Sequence, residues 1–270
     1  MVAAGAGVAR ARIVVDATAQ ACWEAWTQRD ALTSWYAERV EGAIAQGNEI
    51  VLAWDSLGQA IPLRVVEASP PTTLRLAGQP PGRPAQAQRV HIVDRGRTRE
   101  IEVEHAGFRD GPGGEDERAG TEAGWKAALA LFRLYLEHYR GSARACAAAV
   151  GVASAPPDVA YATLAGGLAL SERPAPGDRP AVVLGGEVLR GEVLIAEPPF
   201  QLLVWLREID ATLALRTFPA GPADGSRSSI AAAQLSCWGE GAARLPALRP
   251  GLESLAQDLF AGHGAPPAQA

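Results

Sequence analysis

Apolar and polar positions change period several times along the chain, and each change marks an element. Arg10 to Ala17 (RARIVVDA) is a short β-branched run that reads as a strand. The following TAQACWEAWTQ has helical spacing, with Thr18 placed to cap its N-terminus. From Glu38 to Phe108 the runs EIVLAW, IPLRVVEA, TLRLAG, RVHIVD and TREIEVEHAGF are separated by Gly-, Pro- and Asp-rich punctuation, which predicts an antiparallel meander. In its last run Ile101 and Val103 alternate with Glu100, Glu102 and Glu104, so one face is predicted apolar and the other wet. DGPGGEDERAG reads as a Gly- and acid-rich loop. Thr121 to Tyr139 then carries the longest helical signal, with Trp125, Leu129, Phe132 and Leu136 on the stripe that should meet the sheet. Leu131, Leu134 and His138 widen that surface. Lys126, Arg133, Glu137 and Arg140 form a polar stripe, and Glu122 stands four residues before Lys126 for an ion pair.

The second half repeats this order. RACAAAVGV from Arg144 reads as a strand, PPDVAYATL as a helix opened by prolines, and GEVLIAEPPFQLLVWL as two strands across a Pro-Pro turn. VVEASPPTTL (65–74) aligns with LIAEPPFQL (194–202), the proline pairs lying 128 positions apart. In nearly the same register Gly124-Trp125 meets Gly251-Leu252. A tandem duplication with a worn second copy accounts for this, a coincidence of strand-and-turn grammar being the alternative. The second copy's final helix is about half as long, and Ser171 to Gly186 is rich in Pro and Gly.

A chain of 270 residues exceeds the roughly 100–200 of an average domain. Two domains are therefore expected, 1–141 and 142–270, joined near Gly141 to Ala143, with a disordered tail from about 262. The halves are expected to pack on one another, because the linker is short and the last helix is small for a whole sheet. With 25 basic against 30 acidic residues, the charge argues against nucleic acid as a partner. Cys22, Cys146 and Cys237 are scattered and odd in number, which argues against a disulfide framework or a zinc site and for a reducing compartment. No membrane span is expected, since no window holds the roughly 18 uninterrupted apolar residues one needs, and the N-terminus has no signal pattern, so a cytoplasmic home is expected. There is no G-x-S-x-G elbow, P-loop, dinucleotide fingerprint or H-E-x-x-H, so neither cofactor nor metal is expected and any catalytic residues stay unknown.

The order strand, helix pair, long meander, long helix, carrying ATAQACWEAWTQRDALTSWY, VVEASPPTTL, IEVEHAGF and GTEAGWKAALALFRLYLEH, resembles the SRPBCC (START-like, helix-grip) superfamily, and within it the branch of Hsp90 ATPase activator homologues. The resemblance covers Arg10 to Arg140 well and Arg144 to about Ala261 weakly. It implies an α+β chain of two tandem helix-grip modules, each a curved antiparallel sheet wrapped on a C-terminal helix, the second degenerate. It also implies a cavity between sheet and long helix, partly capped by the short helices. Matched to the family's motifs, Trp35 and Tyr36 end the second short helix near the cavity mouth, and Trp54 and Val90 lie on meander strands. His105 and Phe108 belong to the H-x-G-F that ends the last strand, and Trp125 to the G-W that opens the gripping helix. The second copy lacks both of these signatures.

Ile101, Val103 and His105 on the sheet should face Trp125, Leu129 and Phe132 on the helix, making a cavity apolar but for one imidazole. His105 reads either as a ligand-orienting or acid–base group or as a hydrogen-bonded core histidine. Trp23, Trp26, Trp35, Trp54 and Trp125 read either as an aromatic cage or as core. Asp110, Glu115, Asp116 and Glu117 read as a solvated loop rather than a calcium site, and Arg95, Arg97 and Arg99 as an exposed hairpin tip. The expected function is binding or carriage of a small hydrophobic molecule in the first domain. One alternative is a polyketide cyclase/aromatase-type enzyme using His105 with an arginine such as Arg64. A further alternative is a chaperone-regulating or other protein-interaction module, its partner unknown.

Overall fold

The computed structural model describes residues 7–79, 84–171, 173–220 and 228–260. The expected disordered tail lies outside them. The chain divides into two compact units, with the boundary between Ala143 and Arg144.

The first unit runs β1 (Ala9–Val15), α1 (Ala19–Thr27), α2 (Arg29–Thr33), β2 (Arg39–Glu41), β3 (Glu49–Trp54), β4 (Gln59–Ser69), β5 (Thr73–Gly78), β6 (Gln86–Arg95), β7 (Thr98–Ala106) and α3 (Pro112–Leu134), which ends in a π-helical turn, Tyr135–Tyr139. One antiparallel sheet holds all seven strands in the order β1-β7-β6-β5-β4-β3-β2. Thr18 caps α1, its Oγ1 accepting from the Ala21 amide at 3.1 Å. Alternation on β7 puts Ile101 and Val103 wholly inside. On the outer face Arg10 and Arg89 flank Glu104, while Arg12 and Arg95 flank Glu100. These ion pairs shield Glu100, which is buried rather than wet.

The helix α3 departs from the expected element at both ends. The stretch read as an acidic loop is its first turns: Pro112 opens it, and Glu115 lies in the first turn, where the helix dipole favours an anion. The expected Glu122–Lys126 pair forms at 3.5 Å. Trp125, Leu129 and Phe132 are buried, but the stripe does not run on to Leu136. The π-helical turn changes the winding there, so that Tyr135 and Tyr139 are buried, Leu136 is half-buried and His138 is exposed.

The second unit runs β8 (Arg144–Ala153), α4 (Pro157–Gly167), β9 (Ala181–Leu184), β10 (Glu187–Arg190), β11 (Glu192–Glu197), β12 (Gln201–Leu206), β13 (Ala211–Ala220), β14 (Ser228–Trp238) and α5 (Leu245–Phe260). Its main sheet, β11-β12-β13-β14-β8, has the strand order of β4-β5-β6-β7-β1. The likeness reaches single residues. Both hairpins turn at a cis Pro-Pro pair, and both carry a β-bulge at the same place, between Val65 and Glu67 and between Val193 and Ile195. Val65 bonds through its backbone to Gly47 and Asn48, and Val193 to Gly177 and Asp178 in the same two directions. Bulges are built features of a family rather than accidents, so the two units are copies of one topology. The wear is visible too: β9 and β10 form a separate two-stranded sheet, whereas β2 and β3 continue the first unit's main sheet.

Candidate functional site

Because strands pair in register, the inward face of the first sheet is a set of rungs. One rung reads Ala9–His105–Gln88–Leu76–Val65 across β1, β7, β6, β5 and β4. The next reads Ala11–Val103–Val90–Leu74–Ala68. Gln88, Leu76, Val90 and Leu74 form the floor of a chamber, Ile50 and Leu52 of β3 its side, and Trp26, Leu32, Tyr36 and Ile44 its roof and mouth. Tyr36 and Ile44 are half-buried and the other lining residues buried. The empty space is about 300 Å³ with its open mouth included. Its deep part has room for a single water-sized body.

His105 stands one strand over from Gln88, on the same rung and the same face. The Trp125 indole N–H donates to His105 Nδ1 at 3.2 Å. Since an indole can only donate, Nδ1 is the acceptor and the neutral ring carries its proton on Nε2. That Nε2 is buried and has no hydrogen-bond partner. Burial, with no carboxylate to offset it, pushes the His105 pKa down to about 4, so the ring is neutral at physiological pH. Trp26 repeats the theme: its Nε1 is buried and has no partner, whereas those of Trp35 and Trp54 donate to the Ala25 and Tyr36 carbonyls, each at 2.8 Å.

The residues singled out from the sequence fall into distinct places. Tyr36 and Val90 line the chamber. Trp125 stacks on Tyr36 at 5.5 Å and holds His105, with Phe108 5.4 Å from that imidazole. Trp54 meets Tyr36 edge-on at 5.1 Å. Trp35 and Phe132 are fully buried and touch at 5.0 Å, and Phe132 also meets Trp26 at 5.7 Å. Leu129, Ile101 and Val103 are core on the facing helix and strand. The open space thus lies under α1 and α2, not under α3. Arg64 is exposed on the outer face of β4 between inward Leu63 and Val65, so it cannot partner His105 in chemistry.

Sequence reasoning left Leu32, Ile44, Ile50, Leu52, Leu74, Leu76 and Gln88 out of the site and kept Trp26 only as one tryptophan among five. The alternation in EIVLAW and TLRLAG marks the aliphatic residues of β3 and β5 as inward-facing. Gln88 leaves no such signal, because a polar residue in QAQRV reads as outward until the register with His105 is known. Among the described residues no cluster of His, Cys, Asp and Glu is placed to hold a metal ion, and no helix is long and apolar enough to cross a membrane.

An antiparallel sheet closed by one long C-terminal helix, with a short helix pair roofing an apolar chamber, defines an α+β domain of the helix-grip class. Residues 16–137, within the first unit, match the family described as Activator of Hsp90 ATPase homolog 1-like protein. No curated protein matches the chain. Among solved structures, the Aha1 dimer from Colwellia psychrerythraea is 18% identical, covers 50% of this chain and 99% of its own, and has a TM-score of 0.45. Two others span both units. DynU16, from the dynemicin biosynthetic locus, is 17% identical with a TM-score of 0.45 and covers 93% of this chain and 98% of its own. The di-domain ARO/CYC BexL from the BE-7585A biosynthetic pathway is 15% identical with a TM-score of 0.47 and covers 94% and 98%.

Proposed function

We propose that the first unit binds a small, largely apolar molecule in the chamber beneath α1 and α2. The observation that supports this reading is the chamber itself: eight of its ten lining residues are buried, and the walls are Leu, Ile, Val and aromatic side chains with Gln88 the one polar side chain on the floor. Small-molecule sites have this make-up. The deep part is too small for a ligand as it stands, so entry requires the half-buried Tyr36 and Ile44 to swing away. That motion falls on the turn after α2, a five-residue helix with no side-chain cap, which carries Tyr36, and on the segment between β2 and β3, which carries Ile44. Binding without covalent chemistry is preferred to a cyclase reaction, because His105 is the one titratable group on the rungs and faces no carboxylate that would make it a base.

Titration of the full chain with N-phenyl-1-naphthylamine, a neutral apolar fluorophore, tests this. Saturable enhancement is expected, weakened at least tenfold by Val90→Phe, which fills the floor. No enhancement with the wild type, or equal enhancement with a folded Val90→Phe variant, would remove the chamber as the site. Native mass spectrometry of freshly purified protein should show a retained apolar adduct. Turnover of a polyketide by an adduct-free protein would instead favour the enzyme.

A further inference from the structure

At the positions matched to four buried polar side chains of the first unit, the second unit carries leucine. Its rung Ala147–Leu235–Leu213–Val204–Val193 is the counterpart of Ala9–His105–Gln88–Leu76–Val65, so Leu235 stands for His105 and Leu213 for Gln88. Counted from the helix caps Thr18 and Pro156, Leu164 of α4 stands for Trp26. Leu252 of α5 stands for Trp125. All four leucines are essentially inaccessible and belong to one continuous apolar core. The fold therefore requires no hydrogen-bonding group at any of these positions. Yet the first unit puts Trp, Gln, His and Trp there and leaves two of their donors, Trp26 Nε1 and His105 Nε2, buried without acceptors. A buried donor left unpaired is destabilising, so leucine would serve stability better.

We infer that the ligand of the first unit carries a hydrogen-bond acceptor oxygen, of the ketone or other neutral carbonyl class, received by the Nε2–H of His105 with Trp26 Nε1–H as a second donor. Both orphaned atoms are donors, and a carbonyl offers two lone pairs and no proton. The imidazole is a donor at Nε2 because Trp125 occupies Nδ1, which makes Trp125 a positioning residue. A neutral ring suits a neutral carbonyl, which has no charge to be desolvated on entry. This inference rests on the ligand-binding reading and adds the chemistry of the ligand to it.

The test uses a matched pair of probes, 2-acetylnaphthalene and 2-isopropenylnaphthalene, which differ in carrying C=O or C=CH₂ on the same skeleton. With the full-length wild type the ketone should bind roughly tenfold more tightly than the alkene, the worth of one well-made buried hydrogen bond. Its C=O stretch should move to lower wavenumber on binding. In His105→Leu/Trp125→Phe, which installs the second unit's leucine and removes the neighbouring indole donor, both preference and shift should shrink while the alkene still binds. Equal affinity of the two probes for the wild type, or an unshifted C=O stretch, would overturn the inference and leave the ligand-binding reading standing. If neither probe binds, both fall. The comparison within the wild type needs no variant, so it decides the matter even if the double variant fails to fold.

Discussion

At the scale of single residues, His105 ties stability to pH. Its pKa is about 4 in the folded chain and near 6.5 when unfolded, so between those values the unfolded chain binds the extra proton. Stability should therefore be fully present above about pH 6.5 and fall as pH drops towards 4, by an amount on the order of 3 kcal/mol. Urea midpoints at stepped pH should show this slope, and it should be shallower in His105→Leu. An equal slope in both proteins would assign it to other groups. Phe132 gives the second residue-level expectation. It is fully buried between Trp26 and Trp35, so Phe132→Ala should lose about 3–5 kcal/mol, read from denaturation curves. A loss below about 1 kcal/mol would mean the helix face borders open space after all. The sequence already showed that Phe132 faces inward. It did not show what Phe132 meets, because Trp26 and Trp35 come from a distant segment whose approach depends on how α1 and α2 fold over.

At the scale of elements, most boundaries were legible because each local signal agreed with the final packing: the Thr18 cap, the period-two alternation of β7, the Pro-Pro turns. The misreadings came where a local signal had two physical outcomes. Glycine and acidic residues at 110–117 suit a loop, but Pro at the first turn and an anion at a helix N-terminus suit α3 equally, and the helix forms. The π-helical turn has no periodic signature, so the burial of Tyr135 and Tyr139 in place of Leu136 could not be read in advance. The glycines that the sequence pairs across the two closing helices, Gly124 and Gly251, also prove different. Around Gly124 an added methyl meets nothing, whereas at Gly251 it would run into the backbone N and Cα of Gly185 in the β9–β10 turn. Gly124→Ala should thus raise stability by about 0.5–1 kcal/mol, as a helix former replaces glycine. Gly251→Ala should lower it, since backbone cannot give way as a side-chain tip can. Thermal melts of both variants check the pair, and the same sign for both would contradict the close approach of α5 to that turn.

At the scale of the whole molecule, two copies of one topology have taken different courses at matched positions. At the matched positions the second unit supplies leucine, all within one apolar core, while Tyr161 Oη and Gln201 Nε2 are among its own buried atoms without partners. The first unit keeps a chamber, a half-buried aromatic at its mouth and two unpaired donors. The sequence exposed the duplication, because Pro-Pro turns survive divergence. It left open which side chains share a rung in each copy, because that depends on cross-strand partners rather than on neighbours in the chain. If the first unit alone binds, titration of the full chain with 2-acetylnaphthalene should saturate at one ligand per chain, by calorimetry or native mass spectrometry. Val90→Phe should then abolish the whole of the binding rather than half. Leu213→Gln, which returns to β13 the polar residue found at Gln88, should destabilise the second unit without creating a site, since an amide set into a closed leucine core gains neither partner nor space. A stoichiometry of two, or a residual site of undiminished affinity in Val90→Phe, would show that the leucine-filled copy opens as well, and that donors and chamber do not set the first unit apart.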